Sequence, residues 1–180
     1  MTITANTMSV SGDEIKLINN ILPKSCNKEI IEHLCNNSVW RIATEHVSSY
    51  SSLMQQQKEL GFSYCSHDTN DIFLNTCAKI IVHKCMENLN MNAVIERFMW
   101  NMYYPNQESF VHTDVDKDKD NFLSILYNLN TTSGGTKIKD VFYKDQESQA
   151  KIFKSNLDHQ GIGPKEHPVR FNLNIVLKVL

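Results

Sequence analysis

No run of 18 or more apolar residues occurs in the sequence, so it offers no candidate for a membrane-spanning helix. Its opening, MTITANTMSVSGDE, lacks both the basic start and the apolar centre of a secretory signal, and a cytoplasmic protein is expected. Cysteine is too irregular to build with: Cys26, Cys35, Cys65, Cys77 and Cys85 are odd in number, contain no C-x-x-C pair and all lie in the first half. A disulfide framework or zinc knuckle is therefore not expected, and these read as ordinary thiols. Charge of one sign is also missing. Eighteen basic against 20 acidic residues leave a net −2, with no basic stripe to track a phosphate backbone, so nucleic acid is disfavoured as a partner. There is neither an internal repeat nor an interdomain linker.

What is present suits one globular domain. The 180 residues are 41% hydrophobic and 21% charged, enough to bury a core and too apolar for global disorder. Residues 1–10 are small, polar and patternless, which predicts a disordered tail. Residues 11–180 form the expected domain, with a helical lead-in over 11–90 and a β core over 91–180. In the lead-in, Ser25 can cap a helix reaching Asn36, since Ile30, Ile31 and Leu34 share a face. A longer helix is predicted from Asp71 to Asn88, with Ile72, Phe73, Thr76, Ile80 and Cys77, Ile81, Lys84 on neighbouring faces. Ser48 to Ser66, rich in Ser and Gln, reads as loop, and the stretch from Ser48 to Asn70 is where substrate-covering segments are expected.

After Asn90 the apolar period drops from about 3.6 to 2. AVIERFMWNMYY, NFLSILYNLN, TKIKDVFY, AKIFKSNL and VRFNLNIVLKVL read as strands, with TTSGG as a turn. The expected class is α+β, mainly β: an antiparallel jelly roll, or double-stranded β-helix, with N-terminal helices packed on one sheet. In the last strand Val169, Phe171, Leu173, Ile175, Leu177 and Val179 fill one face, and Arg170, Asn172 and Asn174 share the other. From alternation alone the polar face suits solvent; a polar cavity inside the roll is the alternative.

The stretch SFVHTDVDKDKDNF carries acids at Asp114, Asp116, Asp118 and Asp120. A calcium loop starting at Asp114 meets Lys119 where the sharp turn needs Gly, and Ile125 where a bidentate Glu is needed; starting at Asp116 it meets Asn121 and Tyr127. Asp116 to Asp120, interleaved with Lys117 and Lys119, fit a solvated, charge-balanced loop. His112 and Asp114 differ from them. Residues i and i+2 of a strand project to one side, so this pair can offer an imidazole nitrogen and a carboxylate oxygen to one ion. Two histidines and one carboxylate suit non-haem Fe(II) with open coordination positions, and a third ligand is then required.

From Asn101 onwards the chain resembles the Fe(II)- and 2-oxoglutarate-dependent dioxygenases, in particular their prolyl-4-hydroxylase-like branch. The resemblance rests on ordered pieces: NMYYPNQESFVHTD, SILYNLN, SGGTKI and FKSNLDHQGIGPKEHPVRFNLNIVL, with IKLINNILPKSCNKEIIEHL similar to the helical lead-in of such enzymes. It implies that His112, Asp114 and His159 hold Fe(II), with His167, inside PKEHP, the weaker competitor for the distal place. It implies that Arg170 pairs with the far carboxylate of 2-oxoglutarate, a task suited to the guanidinium fork. Tyr103, nine residues before His112, matches the tyrosine that hydrogen-bonds the co-substrate; Asn128 and Asn172 fall where relatives place a tyrosine and a serine. The polar face of the last strand would then look into the barrel.

The resemblance further implies an oxidoreductase whose co-substrates are 2-oxoglutarate and dioxygen, with ascorbate in a supporting role. It would hydroxylate a C–H bond of a peptidyl or amino-acid substrate such as proline, releasing succinate and CO2, with no catalytic side chain beyond the metal ligands. Nucleobase-modifying relatives share Arg-x-Asn, as in Arg170-Phe171-Asn172, but place a second arginine six after the first, where this chain has Val176. A non-catalytic β-helix binding module is the alternative from another class. An Asn-, Ile- and Lys-rich composition suits an AT-rich genome, such as that of a virus acting in a host cytoplasm.

Overall fold

The computed structural model describes residues 14–38, 40–42, 62–65, 70–166 and 169–180. Strand β1 (Lys16–Ile18) leads into helix α1 (Lys24–Asn37), then β2 (Arg41–Ile42), β3 (Phe62–Tyr64) and helix α2 (Ile72–Leu89). Strands β4 (Ala93–Tyr103), β5 (Phe122–Asn128), β6 (Gly135–Ile138), β7 (Val141–Lys144), β8 (Ala150–Lys154), β9 (His159–Ile162) and β10 (Arg170–Val179) complete the order. The expected tail and His167 lie outside the described residues, as does most of the Ser48–Ser66 loop; Phe62–Tyr64 within that loop is strand.

The strands form two antiparallel sheets. The larger runs β1-β8-β5-β10-β4-β3-β2, the smaller β7-β6-β9, and residues 108 and 112 bridge to β9 through Glu108↔Ile162 and His112↔His159. This is the mainly β jelly roll that the sequence predicts. No described helix is long and apolar enough to cross a membrane.

Strand alternation sorts the large sheet into an apolar and a polar side. On β10, Phe171, Leu173, Ile175 and Leu177 join a core cluster with Phe98, Trp100 and Met102 of β4, Leu123, Ile125 and Tyr127 of β5, Ile30 and Leu34 of α1, and Leu74, Ala78 and Ile81 of α2. Full burial of each large apolar side chain contributes roughly 1.5–3 kcal/mol. The other face looks between the sheets. There a second, small cluster of Leu126, Ile138, Phe153 and Leu157 occupies part of the space, and the remainder is polar.

Three local expectations change. Helix α1 starts after Pro23, whose fixed φ suits a helix entry, and has no side-chain cap; Ser25 lies inside the first turn. Helix α2 does begin at Asp71, whose carboxylate accepts from Leu74 N–H (3.0 Å), and ends on Asn90 in the left-handed conformation, but its buried stripe is Leu74, Ala78, Ile81, Val82, Cys85, Met86 and Leu89. Ile72, Phe73 and Ile80 are exposed. TKIKDVFY is not one strand but the hairpin β6–β7, turned at Lys139, which holds φ 52°.

Candidate active site

Between the sheets, three side chains converge from two segments. The backbone of 109–114 runs beside β9 without forming a regular strand. It is tied there by His112 N to His159 O (3.0 Å), His159 N to His112 O (2.9 Å), and Ser109 N to Gly161 O (2.8 Å). One potential ligand atom from each of His112, Asp114 and His159 lies within 4.8 Å of the other two, the only such group of three among the described residues.

The donor set is prepared for a cation. His112 Nδ1 lies 2.9 Å from the Phe110 carbonyl and His159 Nδ1 2.9 Å from that of Leu157. A carbonyl only accepts, so each Nδ1 carries the ring proton and each Nε2 presents a lone pair. His159 Nε2 is buried without a hydrogen-bond partner, 3.6 Å from Asp114 Oδ2. Such an orphan costs on the order of 1–3 kcal/mol, and a metal ion in that position would relieve it. Burial drives the His159 pKa down, keeping the imidazole neutral as ligation requires. Burial also works against the Asp114 charge, but His159 once protonated, Arg97 and the Ser124 hydroxyl outweigh it and hold the carboxyl below its usual range.

Asp114 is itself oriented by groups that the sequence patterns did not single out. Its Oδ1 accepts from Arg97 Nη2 (2.7 Å) and Asn174 Nδ2 (3.2 Å), and its Oδ2 from Ser124 Oγ (2.5 Å). Arg97, Asn174 and Ser124 sit on β4, β10 and β5, in adjoining positions of the sheet face that looks inward. The Asp116–Asp120 loop lies outside this centre. Lys119 pairs with Asp116 (3.1 Å), Lys117 with Asp158 (3.0 Å) and Lys154 with Asp120 (3.5 Å), all in solvent-accessible positions.

One step along β9 from His159, on the same side, is Gly161. A Cβ there would come within 2.6 Å of Tyr103 Oη, 2.9 Å of Tyr103 Cζ and 3.3 Å of Arg170 Nη1. The missing side chain is what lets Tyr103 and Arg170 pack closely against β9, two residues along the strand from His159. Arg170 is 1% exposed; its Nε donates to Asp145 Oδ2 (2.5 Å), and its Nη2 to Thr136 Oγ1 (3.0 Å) and Asp145 Oδ1 (3.3 Å). The Tyr103 ring lies 4.9 Å from its guanidinium carbon. Burial pushes the Tyr103 hydroxyl pKa up, so the hydroxyl stays a donor.

The two asparagines take different positions. Asn172 turns its amide oxygen to Arg170 Nη1 (3.1 Å) and Nη2 (3.2 Å), so it braces the guanidinium. Asn128, opposite Asn172 in the sheet and fully buried, donates to the Gln146 carbonyl (3.3 Å) and leaves its Oδ1 without a partner. The sequence patterns missed Asp145 and Lys151. Lys151 Nζ lies 3.1 Å from Asp145 Oδ1, both side chains fully buried. A signal existed for the lysine: in AKIFK it alternates with the core residue Phe153, which places it on the inner face.

No protein-family model and no curated protein sequence matches the chain. Solved structures do. The non-haem α-ketoglutarate-dependent epimerase SnoN of nogalamycin biosynthesis aligns with a TM-score of 0.68 at 9% identity, covering 92% of this chain and 77% of that one. The viral collagen prolyl hydroxylase of Paramecium bursaria Chlorella virus-1, solved with 2-oxoglutarate, aligns at 0.59 and 15% identity over 94% and 98% of the two chains. A prolyl hydroxylase of Trichoplax adhaerens, solved with a peptide from the hypoxia inducible factor oxygen degradation domain, aligns at 0.57 and 16% identity over 93% and 84%.

Proposed function

The chain has the jelly-roll fold found in Fe(II)/2-oxoglutarate oxygenases, and we propose that it is one: an Fe(II)- and 2-oxoglutarate-dependent dioxygenase that hydroxylates a C–H bond, with succinate and CO2 as co-products. The observation that carries this is the unpartnered, buried His159 Nε2 facing Asp114, on the same strand as Gly161, against which the buried Arg170 packs. His112, Asp114 and His159 would hold the iron, and Arg170, Tyr103, Asn172 and Asn128 would form the co-substrate end. When bound, the iron supplies oxidation by dioxygen, driven by decarboxylation of the keto acid. The protein's part is orientation. Two backbone carbonyls fix the imidazole tautomers, Arg97, Asn174 and Ser124 aim the carboxylate, and no side chain has to move a proton as general acid or base.

The substrate we propose is a peptidyl or amino-acid side chain, with proline first. Support comes from the branch resemblance of NMYYPNQESFVHTD to SGGTKI and from the likeness to prolyl hydroxylases, one of them solved with a peptide. A similar likeness to an epimerase means that the fold leaves the product class open, so the substrate needs its own test. Incubation with Fe(II), 2-oxoglutarate and a panel of proline-containing peptides should give a mass gain of one oxygen atom on proline. Succinate formation that no peptide in the panel accelerates would remove the peptidyl assignment and keep the oxygenase.

A further inference from the structure

The co-substrate end of the chamber holds three buried charges, not one. Arg170 and Lys151 are 1% and 0% exposed, and both bond the single carboxylate of Asp145, 2% exposed, which also accepts from Thr132 Oγ1 (3.0 Å). Had Asp145 and Arg170 stood alone, they would cancel. With Lys151 the three sum to one positive charge, in a place where an uncompensated charge is expensive. We propose that Lys151 and Asp145 are positioning residues for the co-substrate: Asp145 fixes the guanidinium, and Lys151 offsets Asp145 so that the subsite keeps one positive charge in excess and demands one carboxylate. The inference rests on the oxygenase function proposed above.

Several observations agree with a charge held in reserve. Asp145 occupies Arg170 Nε and one edge of Nη2, which leaves Nη1 on the side of Gly161 and the strand that carries His159. The neighbours of Lys151 across the strands are Leu126 on β5 and Leu17 on β1, so Asp145 and Arg170 are the charged groups that face it. Burial, and then Arg170, lower the Lys151 pKa to about 8 against the pull of Asp145. Burial works against the Asp145 charge, yet Arg170 and Lys151 outweigh it and keep the carboxyl ionised. An anion entering the subsite would favour the protonated lysine, so its affinity should fall as pH rises above about 8.

The test is Mn(II)-dependent 2-oxoglutarate binding by calorimetry, on the parent, Lys151→Met, Asp145→Asn and the double variant. Lys151→Met brings the sum to zero and should weaken binding by about tenfold or more. The double variant restores one positive charge and keeps an amide oxygen at position 145 to accept from Arg170 Nε, so it should recover affinity to within about threefold of the parent, which lost packing alone could not produce. Parental affinity in Lys151→Met, or loss without recovery in the double variant, overturns the proposal. Should Lys151→Met not fold, the parent's own pH profile decides: a decline between pH 7 and 9.5 supports it, and a flat profile overturns it. A parent that binds no 2-oxoglutarate at all sinks the oxygenase function as well, so the two failures are told apart.

Discussion

Replacing Gly161 with alanine adds one methyl group to β9 where it packs against Tyr103 and Arg170, two residues along from His159. Its Cβ would sit 2.6 Å from Tyr103 Oη, so about 0.8 Å of movement is needed to reach an ordinary contact of 3.4 Å (3.4 − 2.6). Tyr103 is held in the register of β4 against Arg170, and the guanidinium behind it is tied to Asp145, Thr136 and Asn172. Neither neighbour is a free-ended side chain, so overpacking should cost about 1–3 kcal/mol of stability, lowering Tm by several degrees without unfolding the protein. The same methyl displaces Tyr103 and Arg170, the two groups proposed to hold the anion. Mn(II) affinity, measured by electron paramagnetic resonance, should stay within about threefold of the parent, while 2-oxoglutarate affinity drops by at least tenfold; Gly161→Ser should be no better. A Gly161→Ala protein that binds 2-oxoglutarate as the parent does would refute the placement of the co-substrate against Tyr103 and Arg170.

Asp114→Ala should abolish Mn(II) binding, whereas the triple change of Asp116, Asp118 and Asp120 to Asn should leave it unaltered, because those acids lie in the solvated loop outside the centre. Arg97→Met removes the 2.7 Å bond to Asp114 from a side chain 40% exposed; metal affinity should fall about 10–100-fold with little change in Tm. Acid should destabilise the metal-free protein in two stages. His159 is depressed in the fold, so the unfolded chain binds the extra proton and stability falls as pH drops below about 6.5; Asp114 and Asp145, also depressed, add a second loss below about pH 4. Thermal melts across pH 3 to 8 check this, and a metal-free Tm that rises on acidification would contradict it.

The β half is the more legible because its period of two dominates even though Leu126 and Phe153 add apolar groups to the inner face: β4, β5, β8 and β10 lie where that pattern places them. Helix α2 shows the limit of pattern reading. Ile72, Phe73 and Ile80 give it a second apolar stripe, so two faces fit the helical period, and only the partner sheet decides that Leu74, Ala78, Ile81, Cys85 and Leu89 go inside. The β6–β7 turn carries neither Gly nor Asn; Lys139 takes the left-handed conformation, which composition does not signal. At the site, His112, Asp114 and His159 stand out as residue types in a known order. Arg97, Ser124, Asp145 and Lys151 are spread over β4, β5, the end of β7 and β8, and matter only through contacts that register creates.

The apolar and polar sides of β10 explain why one fold carries both a core and a site. Phe171, Leu173, Ile175 and Leu177 hold the sheet to the helices, and the intervening Arg170, Asn172 and Asn174 reach the chamber at both of its ends. A one-residue slip would exchange the two sets, placing an arginine in the core and aromatic surface in the chamber. The strand is therefore fixed in register by burial on both faces.

Succinate formation from 2-oxoglutarate under air, with Fe(II) and ascorbate and no prime substrate, tests the central claim most directly. The parent should release succinate slowly, and His112→Ala should release none above the level of Fe(II) alone. Equal release by both proteins, or none by a parent that also gains no thermal stability from Mn(II) with 2-oxoglutarate, would contradict assignment of His112, Asp114 and His159 to iron and Arg170 to the keto acid.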